Sequence, residues 1–263
     1  MFFTVFVIFA VIGALTGLLA GLLGIGGGLV IVPVLVYVLP TLGVDSDLIM
    51  PISLATSLAT IVFTSMSATW AHHKNHNIPW QSARQLMVFI ALGALSGAYI
   101  ADMLPNEVLK SIFAIAVILL ASYMLFSIRV TRSKPMPGDW GVRMMGLGTG
   151  VISSLMGIAG GAILVPLLTY FSMNIRHAIG TATVCGFAVA LFGAMGYLIT
   201  GIDQQGLPEW SVGYIYLPAL LGVISTSSIV APFGVKLAAK VPVQTLKKGF
   251  AGFLILVAIR MMF

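Results

Sequence analysis

The sequence predicts an all-α, polytopic helical membrane protein built from two inverted repeats, each a broken helical hairpin followed by three transmembrane helices. Three observations carry that prediction. The chain is 59% hydrophobic and 8% charged, with mean hydropathy +1.10, whereas a soluble domain carries about 25% charged residues. Long apolar runs follow one another with short gaps, the mark of helices that cross a membrane. A segment also recurs: residues 16–38 read TGLLAGLLGIGGGLVIVPVLVYV and residues 149–171 read TGVISSLMGIAGGAILVPLLTYF. At an offset of 133, Thr16, Gly17, Gly24, Ile25, Gly27, Gly28, Pro33 and Tyr37 meet Thr149, Gly150, Gly157, Ile158, Gly160, Gly161, Pro166 and Tyr170. A membrane β-barrel would alternate apolar and polar residues, and runs such as IFAIAVILLASYMLF (112–126) do not.

The first half reads as segments at about 4–39, 52–71, 84–101 and 107–127, and the second as about 143–171, 178–200, 212–235 and 243–261. The first segment is too long for one crossing. Its 36 residues would make a helix of roughly 54 Å, against a hydrocarbon core of roughly 30 Å. A break at Gly24–Gly28 is expected, and a matching one in the second copy. No Lys or Arg precedes Lys74, so the first apolar stretch is expected to be a membrane segment, not a cleavable signal.

Loop charges test the path. If each broken segment returns to its own side, loops 72–84, 128–143, 172–177 and 236–248 share one face. That face then holds eleven of the thirteen Lys and Arg, all but Lys110 and Arg260, and the other face holds six of the seven acids. Basic loops stay in the cytoplasm. Both termini are therefore expected outside, and an odd number of crossings per half inverts one repeat relative to the other. The expected division is a first repeat over 1–130, a cytoplasmic linker over 131–142 and a second repeat over 143–263. Trp70, Trp80, Trp140 and Trp210 fall at expected span ends or in loops, where they anchor at the interface. The net charge of +6 belongs to these loops, so a nucleic-acid partner is not expected. Cys185 is the single cysteine, and no internal disulfide is possible.

A Gly-rich break at matching places in two halves points to a binding site near the midplane. The helix after each break begins with free N–H groups and a positive dipole end, and glycine lets an anion approach them. Candidate substrate contacts are Gly26, Gly27, Gly28, Gly160 and Gly161. The competing reading is close helix packing through small residues, and it is favoured for Gly13, Gly17 and Gly21. Pro33 and Pro166 would stiffen or kink the helices that follow. Hydroxyls follow each break in SLATS (53–57) and GTAT (180–183), so Thr56, Ser57, Thr181 and Thr183 are candidate donors to an oxyanion. Their alternative is a bond back to their own helix.

No Asp, Glu, Lys or Arg lies deep in an expected span, which argues against a buried-carboxylate relay. Arg176 and His177 are candidates for gathering anions at the cytoplasmic mouth, with topology-setting an equal alternative. His72 and His76 have metal-like spacing, but a loop cluster is the better reading. No metal site, cofactor or catalytic residue is expected. A dinucleotide fingerprint fails at Leu29, and no phosphate-loop Lys follows.

The paired GIGGGLVIVPVL (24–35) and GIAGGAILVPLL (157–168), with ATS (55–57), GTA (180–182) and the tails LPNEVLKSIFAIAVILLASYML (104–125) and VPVQTLKKGFAGFLILVAIRMM (241–262), resemble the sulfite exporter TauE/SafE family over essentially the whole chain. The resemblance implies a transporter in the inner membrane of a prokaryote, carrying sulfite, sulfonates or related small anions outward by alternating access. Ala159 stands where the family pattern has glycine. A coupling ion, proton or sodium, stays open. So do another small anion or a neutral solute as substrate. A membrane-embedded enzyme is disfavoured by the absence of HExxH and GxSxG, and a channel needs a continuous pore.

Overall fold

The long apolar stretches form helices, and the glycine clusters interrupt them. The computed structural model describes residues 2–23, 27–126, 135–238 and 243–262. Helices α1 (Phe2–Leu23) and α2 (Gly28–Thr41) flank the first break, followed by α3 (Ser46–Lys74), α4 (Trp80–Asp102) and α5 (Asn106–Phe126). Helices α6 (Asp139–Leu155) and α7 (Gly161–Tyr170) flank the second break, followed by α8 (Ile175–Thr200), α9 (Leu217–Ala238) and α10 (Val243–Met262). The chain is thus a helical membrane protein, with α3, α4, α5 and α8 long and apolar enough to cross a bilayer and shorter apolar helices beside them. The expected break falls where the length argument places it, although Gly24, Ile25 and Gly26 lie outside the described residues. The first residues of the expected linker, 131–134, also lie outside them, 135–138 are described without helix, and its last residues, from Asp139, already belong to α6.

One element departs from expectation. The seventh segment does not begin as helix at 212. Strands β1 (Ser211–Val212) and β2 (Ile215–Tyr216) form a short antiparallel hairpin before α9. Gly213 at its turn has φ 54, the left-handed region glycine takes without Cβ strain. The hairpin tucks inward: the Tyr214 hydroxyl donates to Asp102 at 2.8 Å, and the Tyr216 N–H donates to Thr56 Oγ1 at 3.0 Å.

Packing exchanges elements between the two halves. Helix α1 packs most extensively on α9, and α4 on α6. Both pairs are parallel and glycine-lined. Gly146 lies against Leu86, Phe89 and Ile90, and Gly97 against Val151 and Ser154. A Cβ on Gly17 would lie 2.6 Å from the Ser227 backbone. Gly13 meets Val223 and Thr226 in the same way, so the packing reading of Gly13 and Gly17 holds. Small residues allow such approaches because helices in lipid gain by close contact. Helix α3 is buried without interruption from Leu48 to Ile61 and packs on α8. A helix covered on every face belongs at the centre.

The two ends of the bundle differ in charge. Asn106 Oδ1 accepts from the Met50 N–H, Tyr214 meets Asp102, and Gly206 lies beside Asp45. The acidic loops therefore gather at one end. At the other end the Asn77 backbone lies against Gly180, bringing the turn after Lys74 to the start of α8. Trp70, Trp140 and Trp210 are all exposed, as interface anchors would be.

Candidate functional site

The two breaks meet. Gly28 opens α2 and lies against Gly157 of the second break, where a Cβ would come 2.6 Å from the Gly157 carbonyl oxygen. The Ser57 hydroxyl donates to that same oxygen at 2.7 Å. Gly157 in turn lies against Leu54 and Val32, and Gly186 of α8 against Ala159. The junction therefore sits beside the middles of the two long central helices.

The backbone at the breaks needs glycine. Gly27 caps α2 with φ 72 and Gly160 caps α7 with φ 45, and Gly157 has φ 61. Side chains strain in this left-handed region. Gly27 and Gly160 are repeat mates, so the two copies share backbone conformation as well as sequence. The Gly27 carbonyl accepts from Val30 and Ile31, and the Gly160 carbonyl from Ile163 and Leu164. The Gly161 N–H turns to the Ala159 carbonyl, so in the first turn of α7 the Ala162 N–H is the one outside these bonds among the described residues, an orphan donor of the kind helix starts leave.

The predicted residues divide. Gly28 and Ser57 meet Gly157 at the junction, Gly27 precedes Gly28, and Gly160 lies against Ser153, Thr149 and Val189 with Gly161 next to it, whereas Gly26 lies outside the described residues. Gly28 owes its missing side chain to contact with Gly157. Thr56 is fully buried, and its oxygen is engaged by Tyr216, so it ties the hairpin to α3. Thr181 is buried with its hydroxyl 3.9 Å from the Met173 sulfur. Thr183 donates back to Ile179 at 2.8 Å, the local bond helices commonly make. Arg176 and His177 are exposed at the start of α8, where Asn174 caps the helix through the Arg176 N–H. Among the described residues no group of His, Cys, Asp or Glu could hold a metal ion.

Two residues escaped sequence reasoning. Ser153 and Ser154, at the end of α6, are fully buried, and neither hydroxyl has a partner. The Ser154 carbonyl accepts from Tyr197 at 3.3 Å. The signal was a double serine where the first copy has Ala20 and Gly21.

A junction of broken helices beside buried hydroxyls, with no charged side chain buried among the described residues, suits a membrane carrier of small solutes. The comparisons agree. The model of the family described as "Sulfite exporter TauE/SafE" matches residues 9–261. A Haemophilus influenzae "Probable membrane transporter protein" is 44% identical, covering 98% of both chains. "Probable membrane transporter protein MJ0441" of Methanocaldococcus jannaschii is 23% identical over 90% of this chain and 88% of its own. "Probable membrane transporter protein YtnM" of Bacillus subtilis is 28% identical over 97% of this chain and 81% of its own. No solved structure matches. The motif pair, its shared backbone geometry and a match spanning nearly the whole chain make this protein a member of the sulfite exporter TauE/SafE family of membrane transporters.

Proposed function

We propose that the protein is a secondary transporter that exports sulfite, a short organosulfonate or a related small sulfur oxyanion. It acts by alternating access in the inner membrane of a prokaryote. The observation that carries this reading is the meeting of two helix breaks beside buried hydroxyls, with no Asp, Glu, Lys or Arg buried among the described residues. A site of helix starts and hydroxyls gives weak charge compensation. It favours a small mono- or divalent anion over a nucleotide or polyphosphate, which would call for basic side chains.

The repeats over 1–130 and 143–263 rock against one another about this junction. The exchanged pairing of α1 with α9 and α4 with α6 supports two equivalent halves. The segregation of acidic loops to one end supports their inversion, with basic loops in the cytoplasm and both termini outside. Arg176 and His177 stand exposed at the basic end and raise the local anion concentration at the mouth.

The test is uptake of labelled sulfite into proteoliposomes holding the purified full chain. Unlabelled sulfite or a short sulfonate should compete, and chloride at equal concentration should compete poorly. Competition by chloride as strong as by sulfite, or no sulfur-oxyanion flux, would refute the substrate assignment.

A further inference from the structure

We propose that the anion is held at the second break alone, by the Ser153 hydroxyl together with the first turn of α7. Pseudo-symmetry would suggest two equal half-sites, and the side chains do not support that. This inference rests on the reading of the chain as a small-oxyanion transporter and names the residues that make the contact.

The first half-site is closed by protein. The space a side chain on Gly28 would need is filled by the Gly157 carbonyl oxygen, with Ile61 Cδ1 at 2.9 Å and Ser57 Oγ at 3.1 Å. At Gly161, the repeat mate of Gly28, nothing among the described residues lies within 4 Å of a Cβ position. Approach is therefore blocked at the start of α2 and open at the start of α7.

Ser153 supplies an independent pointer. It has 0% exposure and a hydroxyl without a partner. Serine and threonine on a helix ordinarily bond back to a carbonyl one turn earlier. Thr149 donates to Met145, and Thr169 to Val165. Ser153 makes no such bond. Its oxygen lies instead 3.2 Å from the Cβ position of Gly160, the residue that caps α7, a ten-residue helix. A buried donor left unpartnered beside a helix start is poised for a ligand. The matching residue in the first copy is Ala20, which has nothing to donate. Ser154 adds a second unpartnered hydroxyl, facing Gly193 at 3.1 Å from its Cβ position.

The chemistry that fits is an anion with at least two acceptor oxygens. One oxygen takes the Ser153 hydroxyl while another takes the Ala162 N–H, the donor in the first turn of α7 that no described carbonyl engages. A spherical halide uses these separated donors poorly. A small pyramidal or tetrahedral sulfur oxyanion uses both.

The experiment measures sulfite KM in proteoliposomes, with melting temperature in detergent, for the wild type, Ser153→Ala and Gly161→Ala. Ser153→Ala should raise KM roughly tenfold or more, the weight of one hydrogen bond to a charged group. Its melting temperature should hold or rise, because a buried unpartnered hydroxyl is removed. Gly161→Ala should raise KM similarly without loss of fold. If the wild type carries sulfite and both variants keep its KM, the one-sided site is wrong and the transport reading stands. A fall in melting temperature of Ser153→Ala with unchanged KM assigns Ser153 to packing and also overturns the site. If the wild type carries no small oxyanion, both the site and the transport reading fall.

Discussion

The contact between the breaks makes a prediction with a sign. Gly28→Ala would place a methyl 2.6 Å from the Gly157 carbonyl oxygen, 2.9 Å from Ile61 Cδ1 and 3.1 Å from Ser57 Oγ. Ile61 can shift, but the carbonyl is backbone and is already held by the Ser57 hydroxyl at 2.7 Å. Overpacking costs about 1–3 kcal/mol, and loss of that hydrogen bond adds about 0.5–1.5 kcal/mol. Alanine recovers about 0.5–1 kcal/mol over glycine in a helix. A net destabilisation of about 0.5–4 kcal/mol follows. At roughly 2–4 °C per kcal/mol for a chain of this size, thermal unfolding in detergent should start several degrees lower. Gly148 in α6 is the comparator, since nothing among the described residues lies within 4 Å of its Cβ position. Gly148→Ala should hold or raise the melting temperature. In a Ser57→Ala background Gly28→Ala should cost less, because one of the three contacts is gone and the carbonyl is free to move. A Gly28→Ala protein that melts at or above the wild type would refute the account of the junction.

Other outcomes follow from the same geometry. Gly160→Ala should destabilise by about 1–2 kcal/mol from backbone strain alone, because Gly160 has φ 45, measured by the same melts. Tyr214→Phe removes a hydrogen bond to Asp102 of about 1.5–3 kcal/mol. Hydrogen exchange over 201–216 should then speed up, and Asp102→Asn should add little in the double variant. For topology, single cysteines at Asn75 and Gln205, both exposed, in a Cys185→Ala background should react with an impermeant reagent from opposite sides of the membrane. Reaction from one side would overturn the inverted arrangement. Arg176→Gln should lower the initial transport rate a few-fold at low salt and little at high salt, and a salt-independent loss would contradict a gathering role.

Much of the architecture was legible because length and glycine content constrain it directly. A 36-residue apolar run cannot cross once, so a break was required, and Gly27 and Gly160 mark it in both copies. The hairpin at 211–216 was not legible. Its VGYIYL stretch is as apolar as a span start, and its strand form depends on Thr56, Asp102 and the backbone near Gly201, all distant in sequence. The site was half legible. Glycine at 28 and 161 reads alike, yet Gly28 is filled by a carbonyl from a segment 129 positions away and Gly161 is open among the described residues. Thr183 matched the expected motif but bonds to its own helix. Ser153, outside that motif, does not. Which hydroxyl is left without a partner is decided by tertiary packing, and no local pattern reports it.

The most direct measurement is a structure of the full chain with selenite, whose heavier atom marks the place of sulfite. The account predicts a peak within hydrogen-bonding distance of Ser153 Oγ and the Ala162 N–H in the first turn of α7, weakened by excess sulfite and absent in Ser153→Ala. A peak at the exposed Arg176 and His177, or at the start of α2 beside Gly28, under conditions where sulfite competes, would contradict it.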